Sequence, residues 1–182
     1  MTYSHLWAAV SPEGMDGYSA NRWAWWFQIP SKCLPFLEKE NNTLEFLASF
    51  FCIWITIIKG DAPPLSCFLS FDDSTSALGW LYHANTNEQT HPLLQIIMRQ
   101  FARVIMKGEY CLYGQHIKGA FNSVSDVHSR LHDHTDNNLT AYLFSSFPKQ
   151  VLNTFAIAPL PPCISSLMIL FLQKTEEIKE SQ

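Results

Sequence analysis

FLSFDDSTSALGWL, residues Phe68–Leu81, is the stretch that decides the fold. Its opening residues are apolar and lack the strict alternation of a half-solvated strand. That pattern fits a central, parallel-type strand, read over Leu65–Phe71. Two aspartates, Asp72 and Asp73, close it, and Ser74 then offers a cap to a short helix over Ser74–Tyr82. A second stretch, HIKGAFNSVSDVHSR (His116–Arg130), has the same build. A strand over Tyr110–Ile117 ends, the chain turns at Gly119, and a helix over Ser123–Leu131 carries Asp126 in its first turn. Lone carboxylates at strand ends and helix starts are placed to converge on a divalent metal, as in a nuclease-type site.

Working outward, Tyr3–Val10, Gly17–Tyr18 and Trp23–Ile29 read as three strands of an antiparallel meander. Ser11-Pro12-Glu13-Gly14 is turn chemistry, and Pro30 ends the third strand. Asn41, Asn42 and Thr43 offer a cap for a helix over Leu44–Lys59, apolar on most faces. Gly60–Pro64 stops it, and Asn85–Thr90 is a polar loop. Pro92–Lys107 is an amphipathic helix with Leu93, Ile96, Ile97, Gln100 and Val104 on one side and Gly108 as its C-cap. The predicted class is α/β, a mixed five-stranded sheet covered by helices in the order β-β-β-α-β-α-α-β-α. This domain spans residues 1–134. Residues 135–182 read as a connector with no independent domain: a helix over Leu139–Phe147, an extended Ala158–Cys163 (APLPPC), a helix over Ile164–Lys174 and a charged, frayed end.

Hydrophobic residues make up 47% of the 182 and charged residues 15%, so a sizeable core is available and disorder is excluded by composition. A net charge of −4 argues against a broad nucleic-acid footprint but leaves room for a local one. Cys33, Cys52, Cys67, Cys111 and Cys163 are odd in number and form no C-x-x-C pair, which points to a reducing, intracellular compartment, cytoplasmic or nuclear. MTYSHLWAAV lacks the basic start of a signal peptide. The most apolar run, Leu44–Ile58, is shorter than the about 20 residues a spanning helix needs, so it reads as a core helix and no membrane is expected.

The chain resembles the ribonuclease H domain of retrotransposon polyproteins, particularly DIRS-like elements that carry a tyrosine recombinase. SPEGMDGYS (Ser11–Ser19) followed by WAWWFQIP (Trp23–Pro30) is similar to that family's first hairpin. NTLEFLASFFCIWI (Asn42–Ile55) resembles the helix that supplies a glutamate, and DSTSALGWLYH (Asp73–His83) resembles its DNTSA-x-W segment. QHIKGAFNSVSDVHSR (Gln115–Arg130) resembles HIPG-x-x-N-x-x-AD-x-LSR, and the tail through IAPLPPC resembles the connector before the recombinase. The resemblance implies cleavage of RNA in RNA/DNA hybrids by two magnesium ions about 4 Å apart, held by four carboxylates. Three of them map to Glu45, Asp73 and Asp126. Neighbouring polymerase and recombinase domains are the implied polyprotein partners.

The fourth corner is broken. Where the family has the aspartate of D-A-S-P, this chain has Ala9-Val10-Ser11-Pro12. Loss of the bridging charge implies weakened metal binding and loss of most turnover, leaving as the alternative a non-catalytic nucleic-acid-binding or scaffold remnant. Asp16 replaces a usual glycine and is not expected to fill the gap. Val10 for alanine and His128 for leucine read, with Ala9, as drift. Asp72 is expected on the strand face opposite Asp73, outside the site. His116 reads as a packing histidine. His128 and His132, with Asp133, His134 and Asp136 nearby, have i,i+4 spacing but no clear third zinc ligand. Two of Trp23, Trp25 and Trp26 are expected to pack the sheet rather than stack on bases, and Arg22, Lys118 and Arg130 are candidate phosphate contacts.

Overall fold

A computed structural model describes residues 3–11, 14–19, 22–30, 41–83, 92–130, 135–151 and 154–180. Three strands open the chain: β1 (Tyr3–Ser11), β2 (Gly14–Ser19) and β3 (Trp23–Gln28). Helix α1 (Asn41–Ile58), strand β4 (Cys67–Asp72), helices α2 (Thr75–His83) and α3 (Pro92–Gly108), strand β5 (Cys111–His116) and helix α4 (Ser123–His128) follow. The observed order is therefore the β-β-β-α-β-α-α-β-α of the sequence reading. The loop at Asn85–Thr90 and the turn residues Pro12 and Glu13 lie outside the described residues.

The sheet is mixed, as expected, but has six strands rather than five. Its order is β5-β4-β1-β2-β3-β6, and the added strand β6 (Ala156–Ile157) comes from the tail. β1–β2 and β2–β3 are antiparallel, while β1–β4, β4–β5 and β3–β6 are parallel. The tail packs against both faces of the sheet. Leu139 and Leu143 of α5 (Asp136–Ser146) join Tyr18, Ala24 and Val124 on one face. Ile164, Met168 and Phe171 of α6 (Pro162–Glu180) join the α1 core on the other. Helix α6 continues through the end expected to fray. A two-residue strand and a short apolar stripe carry too little periodicity to be read locally.

Helix α1 fills the larger core. Phe46, Leu47, Phe50, Phe51, Ile53 and Ile55 are buried, each contributing about 1.5–3 kcal/mol of apolar burial. At 18 residues it is long and apolar enough to cross a membrane, but 67% of it is buried inside the protein, in keeping with the core-helix reading. It lies close to β2 because of Gly17: a Cβ there would fall 2.0 Å from Cys52 Sγ. Cys52 Sγ accepts the Trp25 indole N–H at 3.3 Å in the space so left. Trp23 and Trp25 are both buried, as expected for two of the three tryptophans.

Two local readings need correction. Ile96 is 40% exposed; the buried side of α3 is Ile97, Met98 and Phe101, with Val104 packed beside them. The stripe is thus displaced by one residue, because Phe101 rather than Gln100 meets Phe46 and Phe50. Gly108 is not the left-handed cap: Glu109 takes that conformation, φ 52°. Gly108 is needed for space, since a Cβ there would collide with the Tyr110 ring.

Candidate active site

β1 and β4 run parallel, so the carboxyl end of β4 brings its aspartates beside the middle of the sheet. Asp72, the last residue of β4, points into the protein and is 1% exposed. Its Oδ2 accepts the Ser49 hydroxyl of α1 at 2.7 Å, and its Oδ1 accepts the Ser74 N–H at 2.8 Å. Ser74 caps the start of α2 as expected, its Oγ accepting the Ala77 N–H at 3.2 Å, and Asp72 holds the turn that leads into it. Burial pushes its carboxyl up to about 7, with the charges of Glu45 and Asp73 adding and those two hydrogen bonds opposing. Asp73 is exposed just beyond the strand end, whereas Asp72 is buried. Gly119 leaves room for it: a Cβ there would lie 3.2 Å from Asp73 Oδ2. His116 Nε2 donates to the Asp73 carbonyl at 3.2 Å, which makes His116 a backbone anchor for the site.

Glu45 stands half-buried in the first turns of α1. Its Oε1 accepts from Asn41 Nδ2 at 2.8 Å, and the Ser74 side chain donates to it. Its carboxyl is raised chiefly by burial and further by the charge of Asp73, so these two predicted site residues share one mouth.

Asp126 sits across the sheet, in α4. Arg130 Nη2 and Nε both bond its Oδ1, at 2.7 and 3.2 Å, which turns the predicted phosphate contact Arg130 into an internal ion pair. Arg22 is likewise engaged, by Asp61 at 3.0 Å. Lys118 is exposed.

The main correction concerns Ala9 and its surroundings. Ala9 pairs directly with Asp16 across the β1–β2 hairpin, so both residues share the sheet face toward α4. Asp16 therefore does come to the empty corner, contrary to expectation. It comes as an occupied group: it is fully buried, and its Oδ2 lies 2.6 Å from Nδ1 of His128, itself 1% exposed. Burial raises the Asp16 carboxyl to about 6, against the charge and hydrogen bond of His128 and the backbone N–H of Ala9; the Asp126 charge adds to the rise. His128 and Asp16, expected as separate departures, are direct partners. With Nδ1 so engaged, His128 is withdrawn from the expected i,i+4 pair; His132, Asp133 and His134 lie outside the described residues.

Other residues that the sequence reading missed tie α4 to the hairpin. Asn122 Nδ2 donates to the Ala8 carbonyl at 2.8 Å, and Ser11 Oγ donates to the Ser129 carbonyl at 2.8 Å. The signal for Asp16 was present in the sequence, since a hairpin turning between Ser11 and Gly14 sets Ala9 opposite Asp16 by simple counting.

The donor chemistry decides what this site can hold. Glu45 and Asp73 supply oxygen ligands suited to one hard cation with waters completing its shell. The two-ion set does not fit: Ala9 offers no ligand, Asp16 is committed to His128, and Asp126 is shared with Arg130. Among the described residues, no group of three or more His, Cys, Asp and Glu side chains forms a metal-holding cluster. Scanned against protein-family models and searched against curated protein sequences, the chain finds no match.

Proposed function

We propose that this chain is a ribonuclease H-like domain of a retroelement polyprotein that keeps a surface for RNA/DNA hybrids and has lost hydrolysis. One observation supports the reading: Ala9, where the resemblance calls for a metal-bridging aspartate, faces Asp16 across the hairpin, and Asp16 is sealed against His128. The order of elements supports the fold assignment, as does the position of Asp73 just past the strand parallel to β1. The proposed ligand remnant is Glu45 and Asp73, with magnesium held weakly; Asp126, the third residue of the expected set, is paired with Arg130 instead. The proposed partners are an RNA/DNA hybrid, recognised by shape and by the 2′-hydroxyls of its RNA strand, and adjoining polymerase and recombinase domains, in an intracellular setting.

The test uses the purified chain, a fluorescent RNA/DNA hybrid and magnesium. The native chain is expected to bind the hybrid without cleaving it. A triple variant, Ala9→Asp with Asp16→Gly and His128→Leu, is expected to gain cleavage that disappears when Asp73→Asn is added. Cleavage by the native chain that collapses in Asp73→Asn overturns the claim of lost hydrolysis. Absence of hybrid binding by the native chain, with no gain in the triple variant, overturns the ancestry as well.

A further inference from the structure

We infer that the cleft between α1 and α3, at the end of the protein remote from Glu45 and Asp73, docks a short acidic peptide bearing a large apolar side chain. The cleft is an open groove of about 410 Å³, within the range of specific small-ligand sites. Trp54, Ile57, Val104 and Tyr110, all half-buried, line it with the exposed Pro64. Ile57 lies twelve residues along α1 from Glu45, about 18 Å at the helical rise, so this is a separate site.

The floor is fixed before anything binds. Trp54 stacks on Phe50 with ring centroids 5.2 Å apart, and the Tyr110 hydroxyl donates to the Ala62 carbonyl at 3.3 Å. Arg103 and Lys107 line the mouth, one turn apart on α3, and both are exposed. Neither makes an ion pair or hydrogen bond among the described residues. Two unneutralised cations above an apolar slot, in a chain of net charge −4, select an anion with an apolar body. A second, independent feature adjoins the slot. Leu65, next to Pro64, is 62% exposed and held at φ 67°, a left-handed conformation that costs a bulky residue free energy. Met106, beside Lys107, is 76% exposed.

Other anions fit less well. A base edge would face apolar walls, and one face of Trp54 is already covered by Phe50. Two carboxylates flanking one large side chain satisfy both cations and fill the slot.

The test is binding of the labelled peptide Gly-Glu-Leu-Trp-Glu-Gly to the full chain, followed by anisotropy and by the Trp54 indole resonance. Expected are a shift of that resonance and binding weakened about tenfold both in Arg103→Glu/Lys107→Glu and for the peptide with Gln in place of Glu. An unmoved Trp54 resonance, or equal binding by the Gln peptide or by the double variant, overturns the proposal. So does tighter binding of oligo-dT or phosphatidylserine vesicles through the same two cations.

Discussion

The two sides of the sheet carry the acidic residues differently. On the α1 side, Glu45 and Asp72 are hydrogen-bonded by neutral donors, and the exposed Asp73 adds its charge to both. On the α4 side, Asp16 and Asp126 are each engaged by a nitrogen side chain, Asp16 by His128 and Asp126 by Arg130. One half leaves its carboxylates to neutral donors and water. In the other, a buried imidazole and a surface guanidinium engage them, and Ala9, Asp16 and His128 form one packed seam.

The largest expected effect comes from splitting the buried pair. Asp16→Ala leaves an imidazole, and His128→Leu leaves a carboxylate, without a partner in the core. Each single variant is expected to lose about 3–5 kcal/mol in urea denaturation, because an uncompensated buried charge is costly. The double variant is expected to return to within about 1 kcal/mol of the native chain, since replacing both members by apolar groups is often neutral. Simple additivity of the two losses would break the comparison, because the seam would then not be a coupled unit.

Next in size is the pH dependence of Asp16. Its folded value of about 6 stands above the ordinary 3.8, so the folded chain holds this proton where the unfolded chain has already released it. Asp16 therefore contributes stability that is fully present below pH 3.8 and is lost as pH rises through about 6. Relative to Asp16→Asn, the native chain is expected to lose on the order of 3 kcal/mol between about pH 4 and about pH 7. The readout is the difference between the two stability curves. A flat difference would mean that Asp16 stays ionised throughout, with His128 fully offsetting burial.

Ala9→Asp alone sharpens the same contrast. It sets a second carboxylate directly across the hairpin from Asp16, in a position where Ala9 is 8% exposed. The expected cost is about 2 kcal/mol, measured by thermal melting, and most of it is expected to vanish when Asp16→Gly and His128→Leu are added. Restoration of the aspartate thus depends on first dismantling the seam. A single Ala9→Asp variant as stable as the native chain would show that the corner is open to solvent or ion.

How legible this was depends on distance along the chain. Phe68–Leu81 announced itself, because an apolar run ending in aspartates and a serine cap is a local pattern, and β4 and α2 lie within about two residues of where it put them. The Ser74 cap was legible for the same reason, since a serine just before a helical pattern is a local signal. The Asp16–His128 bond was not legible as a contact, because it joins residues 112 apart, and each looked like separate damage. Only the register of the hairpin and the packing of a six-residue helix bring them together. The sixth strand escaped for a related reason. Ala156 and Ile157 pair with Trp23 and Ala24 at the far edge of the sheet, and nothing in a two-residue strand signals its partner.

The smallest expected effect tests the depth of the contrast. Arg130 and Asp126 form an i,i+4 pair with side chains 63% and 50% exposed, unlike the sealed pair one turn away. Water screens such a pair, and ordering two mobile side chains offsets much of its attraction. Arg130→Ala is therefore expected to cost no more than about 0.5 kcal/mol, a shift of about 1–2 °C in melting temperature for a chain of this size. Asp126 has a second neighbour, however. Its charge already raises Asp16, and without Arg130 nearby that repulsion is unopposed. The Asp16 transition is accordingly expected to move to higher pH in Arg130→Ala, even while overall stability barely changes. A loss above about 1 kcal/mol would place Arg130 among the groups that hold α4 on the sheet. An unmoved transition would separate the surface pair from the buried one and leave His128 alone in charge of the corner.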